Sequence, residues 1–115
     1  MRTSVTRVFG FEAAHQLPWH EGKCRNLHGH SYRLEVTVEG LIDEHGIVVD
    51  FADVKKVVDQ EIVDRYDHRY LNDLIDNPTA ENLAHEIWKT VEAAGMDVSR
   101  IRLWETADSF VEVVR

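Results

Sequence analysis

Between Ser31 and Gly40 apolar and polar side chains alternate, with Tyr32, Leu34, Val36 and Val38 in one phase and Arg33, Glu35, Thr37 and Glu39 in the other. A period of two puts these sets on opposite faces, so the segment predicts a half-buried β-strand. Carried backwards, the alternation places His28 and His30 in the apolar row, ahead of Tyr32 and Leu34. Thr3 to His15 reads as a second extended segment, with Val5, Phe9, Phe11, Ala13 and His15 in phase and Arg7 interrupting them. Glu44-His45-Gly46 signals a turn, after which Ile47-Val48-Val49 predicts a short strand leading to a helix cap at Asp50.

Two helices follow by the same argument. Phe51, Val54, Val57, Val58 and Ile62 recur at helical spacing, with Asp50 and Asp53 favourable near the positive end of the helix dipole. The second helix begins around Asn77-Pro78-Thr79, presents Ala80, Leu83, Ala84, Ile87 and Val91 on one face, and stops at Gly95. Alternation resumes from Arg100 to Thr106, where Glu105 shares a face with Ile101 and Leu103, so a carboxylate continues an apolar row. Phe110 to Val114 supplies the last strand. The main elements therefore run strand, strand, helix, helix, strand, strand, which predicts an α+β fold of a four-stranded antiparallel sheet with two helices on one face.

Length and composition narrow the class. With 115 residues and 43% hydrophobic content, the chain is expected to form one domain spanning 1–115 with a modest core. No stretch approaches the roughly 18 consecutive apolar residues of a membrane span, and the N-terminus lacks the apolar run of a signal peptide, so a soluble cytoplasmic protein is expected. A single cysteine, Cys24, excludes an intramolecular disulfide framework. The formal charge of −8 argues against nonspecific nucleic-acid binding, which needs a dense basic patch, and favours small-molecule partners.

Against that background the histidines stand out. His28-Gly29-His30 sets two imidazoles on one side of a strand, the glycine leaving room between them, and His15 can supply a third. Three imidazoles leave the fourth tetrahedral position open for water or substrate, as in a catalytic zinc site, although imidazole also suits copper, iron and nickel. A bare His-X-His pair is equally compatible with half-buried polar residues. Cys24 sits among Lys23 and Arg25, which favour a thiolate able to abstract a proton; it can also serve as a fourth zinc ligand or as a small buried hydrophobe. Asp67-His68 lies in a polar stretch between the helices, where His68 suits acid–base work and Asp67 can raise its basicity, or the two simply cap helix ends. Glu105 is either an ion-paired structural residue or the acceptor for a ligand edge bearing two parallel N–H donors. Thr79 and Glu81 suit a helix cap better than a ligand contact.

Taken in order, Phe11-Glu12-Ala13-Ala14-His15, Cys24 with His28-Gly29-His30, Asp67-His68 with Leu71-Asn72, Asn77-Pro78-Thr79-Ala80-Glu81-Asn82 and Trp104-Glu105-Thr106 resemble the 6-pyruvoyltetrahydropterin synthase superfamily over nearly the whole chain. The three residues between Cys24 and His28 are similar to those of its 6-carboxy-5,6,7,8-tetrahydropterin synthases. The resemblance implies the tunnelling fold, with trimers closing into a barrel and two trimers stacking as a homohexamer. It implies conversion of 7,8-dihydroneopterin triphosphate to 6-carboxytetrahydropterin, acetaldehyde and triphosphate, on the route to queuosine and related 7-deazaguanine nucleosides. It also implies Zn2+ held by His15, His28 and His30, proton transfer by Cys24, Asp67 and His68, and a pterin held by Glu105 with Thr79 nearby. Lys23 and Arg25 are candidates for the triphosphate by proximity, and Ala107 to Phe110 has no assigned role. Two other readings fit the same residues: a pyruvoyl-type synthase that eliminates triphosphate, and a noncatalytic zinc-stabilised pterin-binding oligomer. A generic zinc hydrolase is a third.

Overall fold

The computed structural model describes residues 1–115 and carries a five-stranded sheet. Strands β1 (Thr3–His15) and β2 (His28–Gly40) pair antiparallel along their full length, from Thr3 opposite Gly40 to His15 opposite His28. Strand β4 (Val98–Thr106) runs antiparallel to β2, and β5 (Ser109–Val114) antiparallel to β4. The expected set of four antiparallel strands is incomplete. A two-residue strand, β3 (Arg69–Tyr70), pairs in parallel with Ala13 and Ala14 of β1, making the sheet mixed, with spatial order β3-β1-β2-β4-β5. It lies between the helices in sequence, so the order becomes ββαβαββ rather than ββααββ. Two residues are too few to show alternation, and their polar neighbours read as connector.

The expected strand at Ile47-Val48-Val49 does not form. This segment follows a turn closed by Gly46 at φ 86° and instead delivers Asp50, whose carboxylate accepts from the Ala52 N–H to cap helix α1 (Phe51–Val58). Helix α1 continues through a π-helical stretch (Asp59–Val63) into the short α2 (Asp64–Tyr66). Val54, Val58, Ile62 and Tyr66, all buried, repeat every four residues. On an ideal α-helix such a row drifts by about 40° per step. Widening the turns between Asp59 and Val63 cancels part of that drift and keeps Ile62 and Tyr66 on the core. Phe51, expected in the core, is 52% exposed.

Helix α3 (Ala80–Ala93) buries Ala80, Leu83, Ala84, Ile87 and Val91, and Gly95 beyond its end takes φ 94°. Both helical bodies pack on the sheet face that carries Phe11, Tyr32, Leu34, Val36, Ile101 and Leu103, and these side chains form one core cluster. Arg7 belongs to that face as well. It escapes burial of its charge by extending to donate from Nη1 to the Phe51 carbonyl at 2.9 Å, which explains why it interrupts an apolar row. The opposite face mixes polar pairs with exposed apolar side chains: the Thr6 and Thr37 hydroxyls lie 2.7 Å apart and Arg102 bridges Glu35 and Glu112, beside exposed Val8, Phe110 and Val114.

Candidate active site

The helix-facing row of the sheet turns from apolar to polar at one end. There β1 and β2 pair His15 with His28 and Ala13 with His30, so strand register alone brings three imidazoles onto one patch. Their ligand-capable atoms all lie within 4.8 Å of one another. His15 is 1% exposed and the other two half-buried. A Cβ on Gly29 would make only ordinary contact with the Ala13 carbonyl at 3.6 Å, so the room the glycine was expected to leave is not what shapes the cluster.

Two main-chain carbonyls set the rings. Nδ1 of His15 lies 2.8 Å from the Pro78 oxygen and Nδ1 of His28 lies 2.7 Å from the Asn26 oxygen. A carbonyl only accepts, so each Nδ1 carries the proton and each Nε2 presents a lone pair. Those two Nε2 atoms are 3.0 Å apart. Lone pairs held face to face need a cation or an added proton between them, and this donor set fits a metal ion held by neutral imidazoles. His30 agrees. Burial, and secondarily its histidine neighbours, lowers its pKa despite the opposing pull of Glu105, favouring the neutral ligating form.

Glu105 is the extra residue of a β-bulge: Trp104 pairs with Phe110 and Thr106 with Ser109, leaving Glu105 unopposed. Its Oε1 lies 3.3 Å from His30 Nε2, but the alignment is too poor for a hydrogen bond, and that buried nitrogen has no hydrogen-bond partner. The Tyr32 hydroxyl, also buried and unpartnered, shares the neighbourhood; burial and the Glu105 charge both raise its pKa, keeping it protonated. Glu105 also lines a cavity of about 200 Å³ with Ala80, Glu81, Ser109, Phe110 and Val111, at the start of α3. Thr79 caps that helix, its hydroxyl accepting from the Asn82 N–H at 3.1 Å. The Ala107–Asp108 turn gains structure here: Asp108 accepts from the Thr106 and Ser109 hydroxyls, which lowers its pKa.

Asp67 and His68 pair with each other and make no hydrogen bond to the histidine cluster, although His68 and His30 line the same cavity. His68 Nδ1 is 3.0 Å from Asp67 Oδ2, and its side chain is 80% exposed. The Glu12 N–H donates to Asp67 Oδ1 at 2.8 Å and the His68 N–H donates to the Glu12 carbonyl at 2.6 Å. The Glu12 amide, then the His68 hydrogen bond, hold the Asp67 pKa below its ordinary value. His68 takes the left-handed conformation, φ 58°, where the chain leaves α2 for β3. It borders an open cavity of about 480 Å³ with Glu12, Ser31, Arg69 and Tyr70, and Ser31 donates to Glu12 at 2.7 Å. Sequence reasoning gave none of these four a role in the site, since nothing links residues 12 and 31 to 69 and 70 until β3 pairs with β1. Cys24 sits half-buried in a short 3₁₀ turn (Lys23–Arg25), its carbonyl accepting from Leu17 at 2.9 Å, and its thiol makes no hydrogen bond to the cluster.

The family model described as 6-pyruvoyl tetrahydropterin synthase matches residues 4–115. A 6-carboxy-5,6,7,8-tetrahydropterin synthase from Synechocystis sp. is 42% identical over 113 residues, covering 91% of this chain and 88% of that protein. A dihydroneopterin monophosphate aldolase from Pyrococcus furiosus is 40% identical over 116 residues, covering 98% of each. The structure of Caenorhabditis elegans 6-pyruvoyl tetrahydropterin synthase superposes with a TM-score of 0.88 at 25% identity, over 100% of this chain and 96% of that one. The chain belongs to the 6-pyruvoyl tetrahydropterin synthase family.

Proposed function

We propose that the protein is a zinc-dependent 6-carboxy-5,6,7,8-tetrahydropterin synthase, a lyase that converts 7,8-dihydroneopterin triphosphate and water to 6-carboxytetrahydropterin, acetaldehyde and triphosphate in queuosine biosynthesis. One observation carries the reading: a bulged carboxylate, Glu105, stands 3.3 Å from one of three converging imidazoles. A pterin's 2-amino and N3–H edge matches a carboxylate accepting two parallel hydrogen bonds, so Glu105 would fix the ring with its side chain reaching toward the histidines. Several relatives at 33–42% identity carry this name.

His15, His28 and His30 would hold the zinc. Bound there, zinc supplies Lewis-acid polarisation of the substrate's side-chain oxygens. Cys24 would take a proton from the substrate. His68, oriented by Asp67 at 3.0 Å, would deliver or accept the second proton. Thr79 would border the pterin, its hydroxyl proton free while its oxygen caps α3.

The reading includes a single domain over 1–115, a cytoplasmic location in which Cys24 stays reduced, and a homohexamer built as a dimer of trimers. Association is supported by the sheet edges. Strand β3 covers only Ala13 and Ala14 of β1, and β5 is bonded on one side, so both edges offer free N–H and C=O groups to a neighbouring copy.

A second reading has a specific observation behind it: the Pyrococcus furiosus aldolase matches over nearly the full length of both chains. The test is to incubate the zinc-loaded protein separately with the triphosphate and the monophosphate of dihydroneopterin and identify products by mass spectrometry. Acetaldehyde and 6-carboxytetrahydropterin from the triphosphate support the synthase. Turnover of the monophosphate alone supports the aldolase.

A further inference from the structure

The histidine whose ring is least accessible, His15, sits where β1 ends and its ladder to β2 runs out. A strand terminus is free to fray, yet a ligand atom in a metal site must be held to a fraction of an ångström. The segment after β3 restrains it on two sides. Asn72 grips the residue following His15 with both ends of its carboxamide: Oδ1 accepts from the Gln16 N–H at 2.9 Å and Nδ2 donates to the Gln16 carbonyl at 2.8 Å. This reproduces the pair of bonds a neighbouring strand would make, two residues beyond the last true pairing of β3 with β1 at Ala14. On the ring side, the Pro78 carbonyl that receives His15 Nδ1–H belongs to a loop fastened next door. Asn82 donates from Nδ2 to the Asn77 carbonyl at 2.8 Å, and Trp19 donates to the Asn77 side chain at 2.8 Å. Proline has no N–H of its own to anchor it, and these bonds, together with the Thr79 N–H donating to the same Asn77 carbonyl at 2.8 Å, hold the loop that carries its carbonyl.

We propose that Asn72 and Asn82 are positioning residues of the metal centre: Asn72 fixes the His15 main chain, and Asn82 fixes the carbonyl that sets the His15 ring and tautomer. The inference rests on the reading of His15, His28 and His30 as metal ligands. Neither asparagine reaches the cluster, and both act only through His15. Removing such outer support weakens metal affinity by about 10- to 100-fold in comparable sites.

The test uses the full-length protein stripped of metal and titrated with zinc against a chromophoric competing chelator, with the Co2+ absorption spectrum as a second readout. Asn72→Ala and Asn82→Ala should each bind zinc about 10-fold or more weakly and show altered Co2+ bands. Asn72→Asp, which keeps the acceptor for Gln16 N–H but loses the donor, should fall between wild type and Asn72→Ala. Thr6→Val, which removes the hydroxyl contact with Thr37 on the opposite face of the same strand, should bind zinc as wild type does. Melting of the metal-free proteins separates the two roles: variants that melt lower yet keep wild-type zinc affinity and Co2+ spectrum overturn the proposal. Should Asn72→Ala not fold, Asn72→Asp and Asn82→Ala decide by the same criterion. A wild-type protein whose zinc affinity is insensitive to His15→Ala overturns the metal-site reading itself, a result distinct from normal wild-type binding with unaffected asparagine variants.

Discussion

Nε2 of His15 faces Nε2 of His28 at 3.0 Å while the opposite nitrogen of each ring is committed to a main-chain carbonyl. The two lone pairs are therefore fixed before any ion arrives. His28→Ala or His30→Ala should abolish stoichiometric zinc binding and lower turnover by at least about 100-fold. Metal analysis of purified variants alongside activity checks this, with one zinc per subunit expected in the wild type.

Cys24 lies outside the hydrogen-bonded cluster, and three imidazoles suffice for an open site. Cys24→Ala should keep full zinc occupancy and lose about 10²- to 10⁴-fold in turnover, the range typical of a removed proton-transfer group. Zinc loss in this variant would assign the thiol to the metal.

Glu105→Gln replaces one carboxylate acceptor with a donor aimed at the pterin's N–H edge. Losing a hydrogen bond to a charged group costs about 1.5–3 kcal/mol, so pterin affinity should fall roughly 10- to 100-fold with zinc content unchanged. Fluorescence titration with a nonreactive pterin reads this directly.

The histidine triad was legible because β1 and β2 are long, thirteen residues each: their alternation, broken at Arg7 in β1, places His15, His28 and His30 on the apolar side without any tertiary knowledge. Asp50 and Thr79 were legible as caps for a similar local reason. What escaped was nonlocal or irregular. Strand β3 is too short to carry a period, the π-helical stretch mimics an ordinary helix in its apolar spacing, and the bulge at Glu105 leaves the alternation intact. Glu12, Ser31, Arg69 and Tyr70 share a cavity only because the segment after α2 doubles back onto β1. Phe51 has helical spacing but lies on the first turn of α1, where the chain still runs along the surface.

Asp67 supplies a pH prediction. Its pKa is depressed in the folded state, chiefly by the Glu12 N–H and then by His68, so its stabilising contribution is present above the unfolded value near 3.8 and is lost as pH falls through the lower folded value. Asp67→Asn should therefore melt below wild type at pH 6, and the gap should close as pH falls below about 4. A gap of constant size across that range would detach the shift from these hydrogen bonds.

What leaves the active site tests the synthase activity most directly. With 7,8-dihydroneopterin triphosphate and zinc-loaded protein, trapping of released aldehyde with mass spectrometry of the pterin should show acetaldehyde and 6-carboxytetrahydropterin in equal amounts, both forming at least about 100-fold more slowly with Cys24→Ala. Accumulation of 6-pyruvoyltetrahydropterin without acetaldehyde, or no turnover of the triphosphate by fully loaded enzyme, would contradict it.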